Sequence, residues 1–113
     1  MSSQDQNERT RRRSPPAGAI ATVRTGFYSG LEIGIDRERI VVGRGRKADL
    51  ALAEATISRA HAVLGFDAEG FFIEDLESTN GTQVNGARIQ RRRLKDNDEI
   101  QMGKLVIGVT LPA

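Results

Sequence analysis

The chain has 113 residues, with 17 Lys and Arg against 15 Asp and Glu, one His and no Cys. That length fits one domain plus a tail, and the lack of Cys excludes both a disulfide framework and a thiolate zinc site. No apolar run approaches the roughly 20 residues that span a bilayer, and the polar start lacks a signal-peptide apolar region, so a cytoplasmic protein without membrane contact is expected.

Residues 1–17 hold almost no large apolar side chain and cannot bury enough surface to offset their ordering entropy. They read as a disordered tail, with Pro15-Pro16 marking the boundary of a folded region over 18–113. Arg9, Arg11, Arg12 and Arg13 against Asp5 and Glu8 give this tail a charge of +2, the formal charge of the whole chain. The body is therefore balanced, which argues against a nucleic-acid partner.

Short strands separated by turn residues follow. Ala19–Arg24 is the first, and Gly30–Asp36 the second, with Leu31, Ile33 and Ile35 at period two. Arg39–Arg44 centres on the β-branched Ile40-Val41-Val42. Asp49–Leu52, His61–Asp67 and Gly70–Leu76 come next, the last two joined as a hairpin through Asp67-Ala68-Glu69-Gly70. Leu50–Ala55 has the best helix propensity but is too short. Thr82–Val84, Ala87–Ile89, Glu99–Met102 and Lys104–Leu111 complete the set, while Arg91-Arg92-Arg93 reads as a solvated loop. The fold class is all-β, an antiparallel β-sandwich of about 10–11 short strands.

The residues with chemistry lie between these strands. Arg44, just past a strand end, offers a planar, permanently charged fork of donors suited to phosphate, or is a solvated surface arginine. The run from Gly43 to Lys47 lacks both the spacing and the following helix of a nucleotide-binding P-loop. Ser58 in Ser58-Arg59-Ala60-His61 can join backbone N–H groups around an anion or simply form a turn. His61 has no second His and no Cys for a metal site, so holding its loop by hydrogen bonds is the expected role. Asn80, within Ser78-Thr79-Asn80-Gly81, pairs a donor and an acceptor that can hold an extended peptide backbone. Asn85-Gly86 reads as a second, structural turn. By themselves these residues define a binding module for an anionic ligand.

In their order and spacing, Gly43-Arg44, Ser58-Arg59-Ala60-His61, Ser78-Thr79-Asn80-Gly81-Thr82 and Asn85-Gly86 resemble the forkhead-associated (FHA) domain, over about residues 19–110. The resemblance implies a phosphothreonine-binding module, not an enzyme, with no cofactor or metal. It implies that Arg44 and Ser58 grip the phosphate, helped by Thr79 and the Arg59 backbone, and that Asn80 holds the peptide main chain. Gly43, His61, Gly81 and Asn85 would support the site. Selectivity in the family depends on residues after the phosphothreonine, here facing positions such as Thr56 and those near Gly103. The implied partner is a phosphothreonine protein downstream of a Ser/Thr kinase, bound by a monomer.

Two alternatives stay open: an FHA-like structural domain that does not read phosphate, and the N-terminal regulatory module of a larger enzyme. A single-strand nucleic-acid binder would need stacking aromatics, and this chain has four Phe, one Tyr and no Trp. Thr10, flanked by arginines, is a candidate phosphosite for docking in cis. The linker from Arg11 to Gly18 spans at most roughly 28 Å.

Overall fold

A computed structural model describes residues 14–112. The expectation of a disordered tail therefore falls mostly outside the described residues, and Thr10 lies wholly outside them. Eleven strands appear: β1 (Ile20–Val23), β2 (Glu32–Gly34), β3 (Arg39–Gly43), β4 (Leu50–Ala51), β5 (Ala62–Asp67), β6 (Gly70–Asp75), β7 (Thr82–Val84), β8 (Ala87–Ile89), β9 (Arg91–Arg93), β10 (Glu99–Met102) and β11 (Leu105–Thr110). They form two sheets, ordered β2-β1-β11-β10-β7-β8 and β4-β3-β5-β6-β9. No helix among the described residues is long and apolar enough to cross a membrane.

Period-two burial faces the sheets toward each other. In β10, Ile100 and Met102 are buried while Glu99 and Gln101 are exposed. Val23, Val42, Leu64, Ile73, Val84 and Ile107 meet them in one apolar cluster. Two hairpins follow their turn residues closely. β5 and β6 close through a two-residue loop after Asp67, whose carboxylate accepts from Glu69 N at 2.9 Å. β7 and β8 close through Asn85 (φ 52°) and Gly86 (φ 86°), the paired left-handed residues of a type I′ turn.

Two expectations change. The sandwich is not wholly antiparallel, because β4 pairs with β3 in parallel register, Val42 with Leu50 and Gly43 with Ala51. The strand expected over Asp49–Leu52 is present as β4, and Leu52 just beyond it is buried in the core. Arg91-Arg92-Arg93 is not a loop but the edge strand β9, paired with β6.

The chemistry of β9 explains that last change. The Arg91 guanidinium lies 3.9 Å above the Phe72 ring and donates to Glu74 and Asp67 at 3.0 and 2.8 Å. Arg93 donates to Asp67 at 2.6 Å and to the Gly70 carbonyl at 2.9 Å. The Arg93 hydrogen bond, with that from Glu69 N, holds the Asp67 carboxyl down at about 2. The Phe72 ring itself covers Gly65, where a side chain would collide with it. A charged edge strand also resists pairing with another chain.

Candidate functional site

The segments that leave β3, β4 and β6 are held together by hydrogen bonds. Arg44 N donates to Ser58 O and Gly45 N to Arg59 O, both at 3.1 Å, so the 58–59 backbone runs directly against the end of β3. This approach requires Gly43, since a Cβ there would overlap the Arg59 carbonyl group. The loop between β4 and β5 is pinned at two points by Leu52 and Ile57, each 2% exposed in the core.

His61 is fully buried and joins two loops. Its Nδ1 accepts from Ser58 N at 3.0 Å, which leaves Nε2 to carry the proton and donate to Gly81 O at 2.9 Å. The His61 backbone adds a third link, its carbonyl accepting from Leu76 N at 2.9 Å. These bonds tie the segments around Ser58, Leu76 and Gly81 to His61. No three His, Cys, Asp or Glu side chains among the described residues converge as metal ligands.

The loop from Leu76 to Gly81 is organised by Asp75, to which the sequence reading gave no role of its own. Its carboxylate accepts from Ser78 Oγ at 2.5 Å, Ser78 N at 3.0 Å and Thr82 Oγ1 at 2.7 Å. Burial pushes the Asp75 carboxyl up, but these hydrogen bonds outweigh it and hold the group below its ordinary value. Ser78 Oγ accepts in turn from Gly81 N at 2.9 Å. Glu77 takes a left-handed φ of 54° to allow the turn. The local signal was Asp75-x-x-Ser78, a side chain capping the backbone three residues on.

Arg44, Ser58, Arg59, Thr79 and Asn80 come together on this loop surface. Arg44 is exposed, and its Nε donates to Ile57 O at 2.7 Å, which orients the guanidinium and leaves both terminal nitrogens without an ion pair among the described residues. Ser58 Oγ accepts from Thr79 N at 3.0 Å and keeps its own O–H to donate. Asn80 Nδ2 donates to Thr56 O at 2.8 Å, so part of its amide already braces the neighbouring loop. Thr56 is similarly committed: its hydroxyl donates to Glu54 at 2.7 Å and accepts from Lys104 N at 2.8 Å. The hydrogen bonds from Thr56 hold the Glu54 carboxyl below its ordinary value. Gly103 lies against Thr56, as expected for two positions on one rim.

Gly81 (φ 83°) lies under the Arg88 guanidinium, which a side chain there would meet. Asn85 does not join the group. It sits at the far end of β7 from Gly81, where Nδ2 donates to Asp98 at 2.8 Å and Oδ1 accepts from Glu99 N at 2.9 Å. It supports the sheet that carries the site, not the site itself.

An eleven-stranded sandwich with its polar, cross-braced loops gathered at one end is a ligand-binding β module. The FHA domain family model matches residues 40–103, and the chain belongs to that family. It is 33% identical over 90 residues to the glycogen accumulation regulator GarA of Mycobacterium tuberculosis, covering 80% of this chain and 56% of GarA. It is 36% identical over 92 residues to the oxoglutarate dehydrogenase inhibitor of Corynebacterium diphtheriae, covering 80% of this chain and 64% of that protein. The chain thus spans less than two thirds of the length of these relatives. A solved FHA domain, described for its phosphothreonine-dependent interactions, superposes with a TM-score of 0.78 at 31% identity, covering 87% of this chain and 99% of its own.

Proposed function

We propose that this chain is a phosphothreonine-reading module that docks phosphorylated partner proteins onto the loops around Arg44 and Ser58. In this reading the Arg44 guanidinium and Ser58 hydroxyl hold the phosphate with Thr79 and the Arg59 backbone. Asn80 aligns the peptide main chain, and Gly43, His61 and Gly81 keep the loops in place. The carrying observation is the Arg44 guanidinium, aimed by Ile57 O beside a Ser58 hydroxyl that Thr79 N fixes at 3.0 Å. Such an arrangement suits a dianionic group, because charge-assisted hydrogen bonds contribute about 1.5–3 kcal/mol each. A site built on two or three of them distinguishes phosphorylated from unphosphorylated peptide without any reaction.

The phosphothreonine dependence described for the superposing FHA domain supports the ligand class. The names of the relatives, a regulator and an inhibitor, support a signalling role over a catalytic one. We assign the domain to residues 18–113 and residues 1–17 to a tail, acting as a cytoplasmic monomer downstream of a Ser/Thr kinase. Threonine is favoured over serine because its γ-methyl adds roughly 0.8 kcal/mol when buried, about fourfold in affinity. The test is calorimetry with a phosphothreonine peptide chosen from an oriented library. Micromolar binding of the phosphorylated form and at least about hundredfold weaker binding of the unphosphorylated form are expected. Equal binding of the two forms overturns the proposal.

A further inference from the structure

Every polar atom of Thr56, two residues before Ser58, is engaged. Its N and Oγ1 donate to the Glu54 carboxylate at 3.1 and 2.7 Å. Oγ1 also accepts from Lys104 N at 2.8 Å, and the carbonyl accepts from Asn80 Nδ2 at 2.8 Å. The β10–β11 turn closes on the same residue, because a Cβ at Gly103 (φ 57°) would collide with the Thr56 carbonyl and hydroxyl. Both supports are themselves anchored. Glu54 N donates to Leu52 O at 2.8 Å and Ile57 N to Glu54 O at 3.1 Å, so Glu54 is held between two core residues. Thr25 Oγ1 donates to Lys104 O at 3.1 Å and accepts from Val106 N at 3.0 Å, which ties the turn to the segment after β1.

The consequence falls on Asn80. A carbonyl oxygen only accepts, so Nδ2 and not Oδ1 must face Thr56. Without that partner the terminal amide torsion is broad and roughly two-fold, and donor and acceptor exchange places. The bond leaves Oδ1 and the second Nδ2 hydrogen in one fixed arrangement, with no protein partner among the described residues. A carbonyl on a free loop would fix nothing, but Glu54, Lys104 and Gly103 hold this one. The Thr56 hydroxyl has spent its single proton on Glu54. It is not left to read the residues after a phosphothreonine, the role the resemblance implied for this position.

We propose that Glu54 and Thr56 are positioning residues for recognition of the peptide main chain. Neither touches the ligand, and both act by holding the Asn80 amide in the orientation that a peptide backbone meets. This inference rests on the phosphothreonine reading given above. It divides the site into two parts with separate supports. The phosphate grip at Arg44 and Ser58 is set by Ile57 and His61, and the main-chain grip by Glu54 and Thr56.

The 1–113 chain and its variants are titrated with a phosphothreonine peptide by calorimetry and with phosphothreonine alone by NMR. The single amino acid offers the phosphate without a neighbouring peptide backbone. T56V removes the hydroxyl at constant shape, and E54A removes its partner. Each is expected to weaken peptide binding about five- to tenfold, the cost of ordering one freed polar side chain, and to leave phosphothreonine binding within about twofold. The Asn80 side-chain NH2 resonances should move toward those of a free amide, and T56S should restore both readings. In the N80A background T56V adds no further loss, since the two act through one contact. The proposal is overturned if both variants bind the peptide within about twofold of the parent, if peptide and phosphothreonine weaken alike, or if the loss persists in N80A. Should T56V fail to fold in thermal scans, E54A decides by the same criteria. An N80A chain that binds the peptide like the parent removes Asn80 from the site and overturns the positioning with it. Equal binding of phosphorylated and unphosphorylated peptide by the parent overturns the phosphothreonine reading instead.

Discussion

Replacing His61 with alanine separates a structural brace from a ligand contact. The imidazole is 0% exposed and satisfies two backbone groups, Ser58 N at 3.0 Å and Gly81 O at 2.9 Å. Its removal strands both inside the protein, at about 1–3 kcal/mol each, and leaves a void whose lining loses its contacts. Water entering the void recovers part of that cost, which brings the expected loss to about 3 kcal/mol. For a domain of this size each kcal/mol shifts the Tm by roughly 4–8 °C, so a fall of about 12–24 °C is expected by differential scanning calorimetry. Affinity for a phosphothreonine peptide should fall as well, because Ser58 and the Thr79–Asn80 loop no longer share one anchor. A variant that melts within about 3 °C of the parent refutes the brace. If that variant also fails to bind, His61 acts on the ligand directly.

Arg44→Ala tests the opposite behaviour. It removes one exposed side chain and a single hydrogen bond to Ile57 O, about 1 kcal/mol, so the Tm should move by only a few degrees while phosphopeptide binding vanishes in calorimetry; retained binding places the phosphate elsewhere. Asp67→Asn probes acid stability. The folded Asp67 carboxyl lies at about 2, below its ordinary 3.8, so its contribution is complete above that ordinary value and disappears as pH falls through about 2. The variant should therefore melt below the parent at neutral pH and converge with it near pH 2 in a series of thermal scans, and a gap that widens toward low pH contradicts the Arg93 pairing.

Most strands were legible because they carry local signals. Ile40-Val41-Val42 is β-branched, β10 alternates cleanly, and Asn85-Gly86 encodes its own turn type. β9 carried no such signal. Its stability comes from Asp67, Glu69, Phe72 and Glu74, side chains about 20 residues earlier, and pairing at that separation cannot be read from three arginines. The parallel β3–β4 contact is equally hidden, since two residues are too few to form a pattern. At the site, the side chains were visible but their supports were not. Arg44 is aimed by the Ile57 carbonyl and Asn80 braces the Thr56 carbonyl, and backbone groups are the same at every position of a sequence. Asn85 reads in the sequence as a structural turn that supports the site, and the direction of β7 puts that turn at the far end of the strand from Gly81.

The loops of this domain behave as extensions of its core. Leu52 and Ile57 both reach into the sandwich, so only four residues between them span the surface, and Thr56 within that span is tied to Glu54 and Lys104. Ile57 at the same time presents the carbonyl that orients Arg44. The adjacent Ser58 is held through its N–H by His61 and through its oxygen by Thr79 N. One apolar residue thus links core packing to the direction of the guanidinium, and one buried imidazole links the two loops that flank the serine. Ordering these groups is completed when the chain folds, so little conformational entropy remains to be lost on binding. That favours an affinity set by the few charged hydrogen bonds to the ligand. If the phosphate is held at Arg44 and Ser58 as proposed, the strength of binding depends on residues such as Ile57 and His61, which lie beneath that surface.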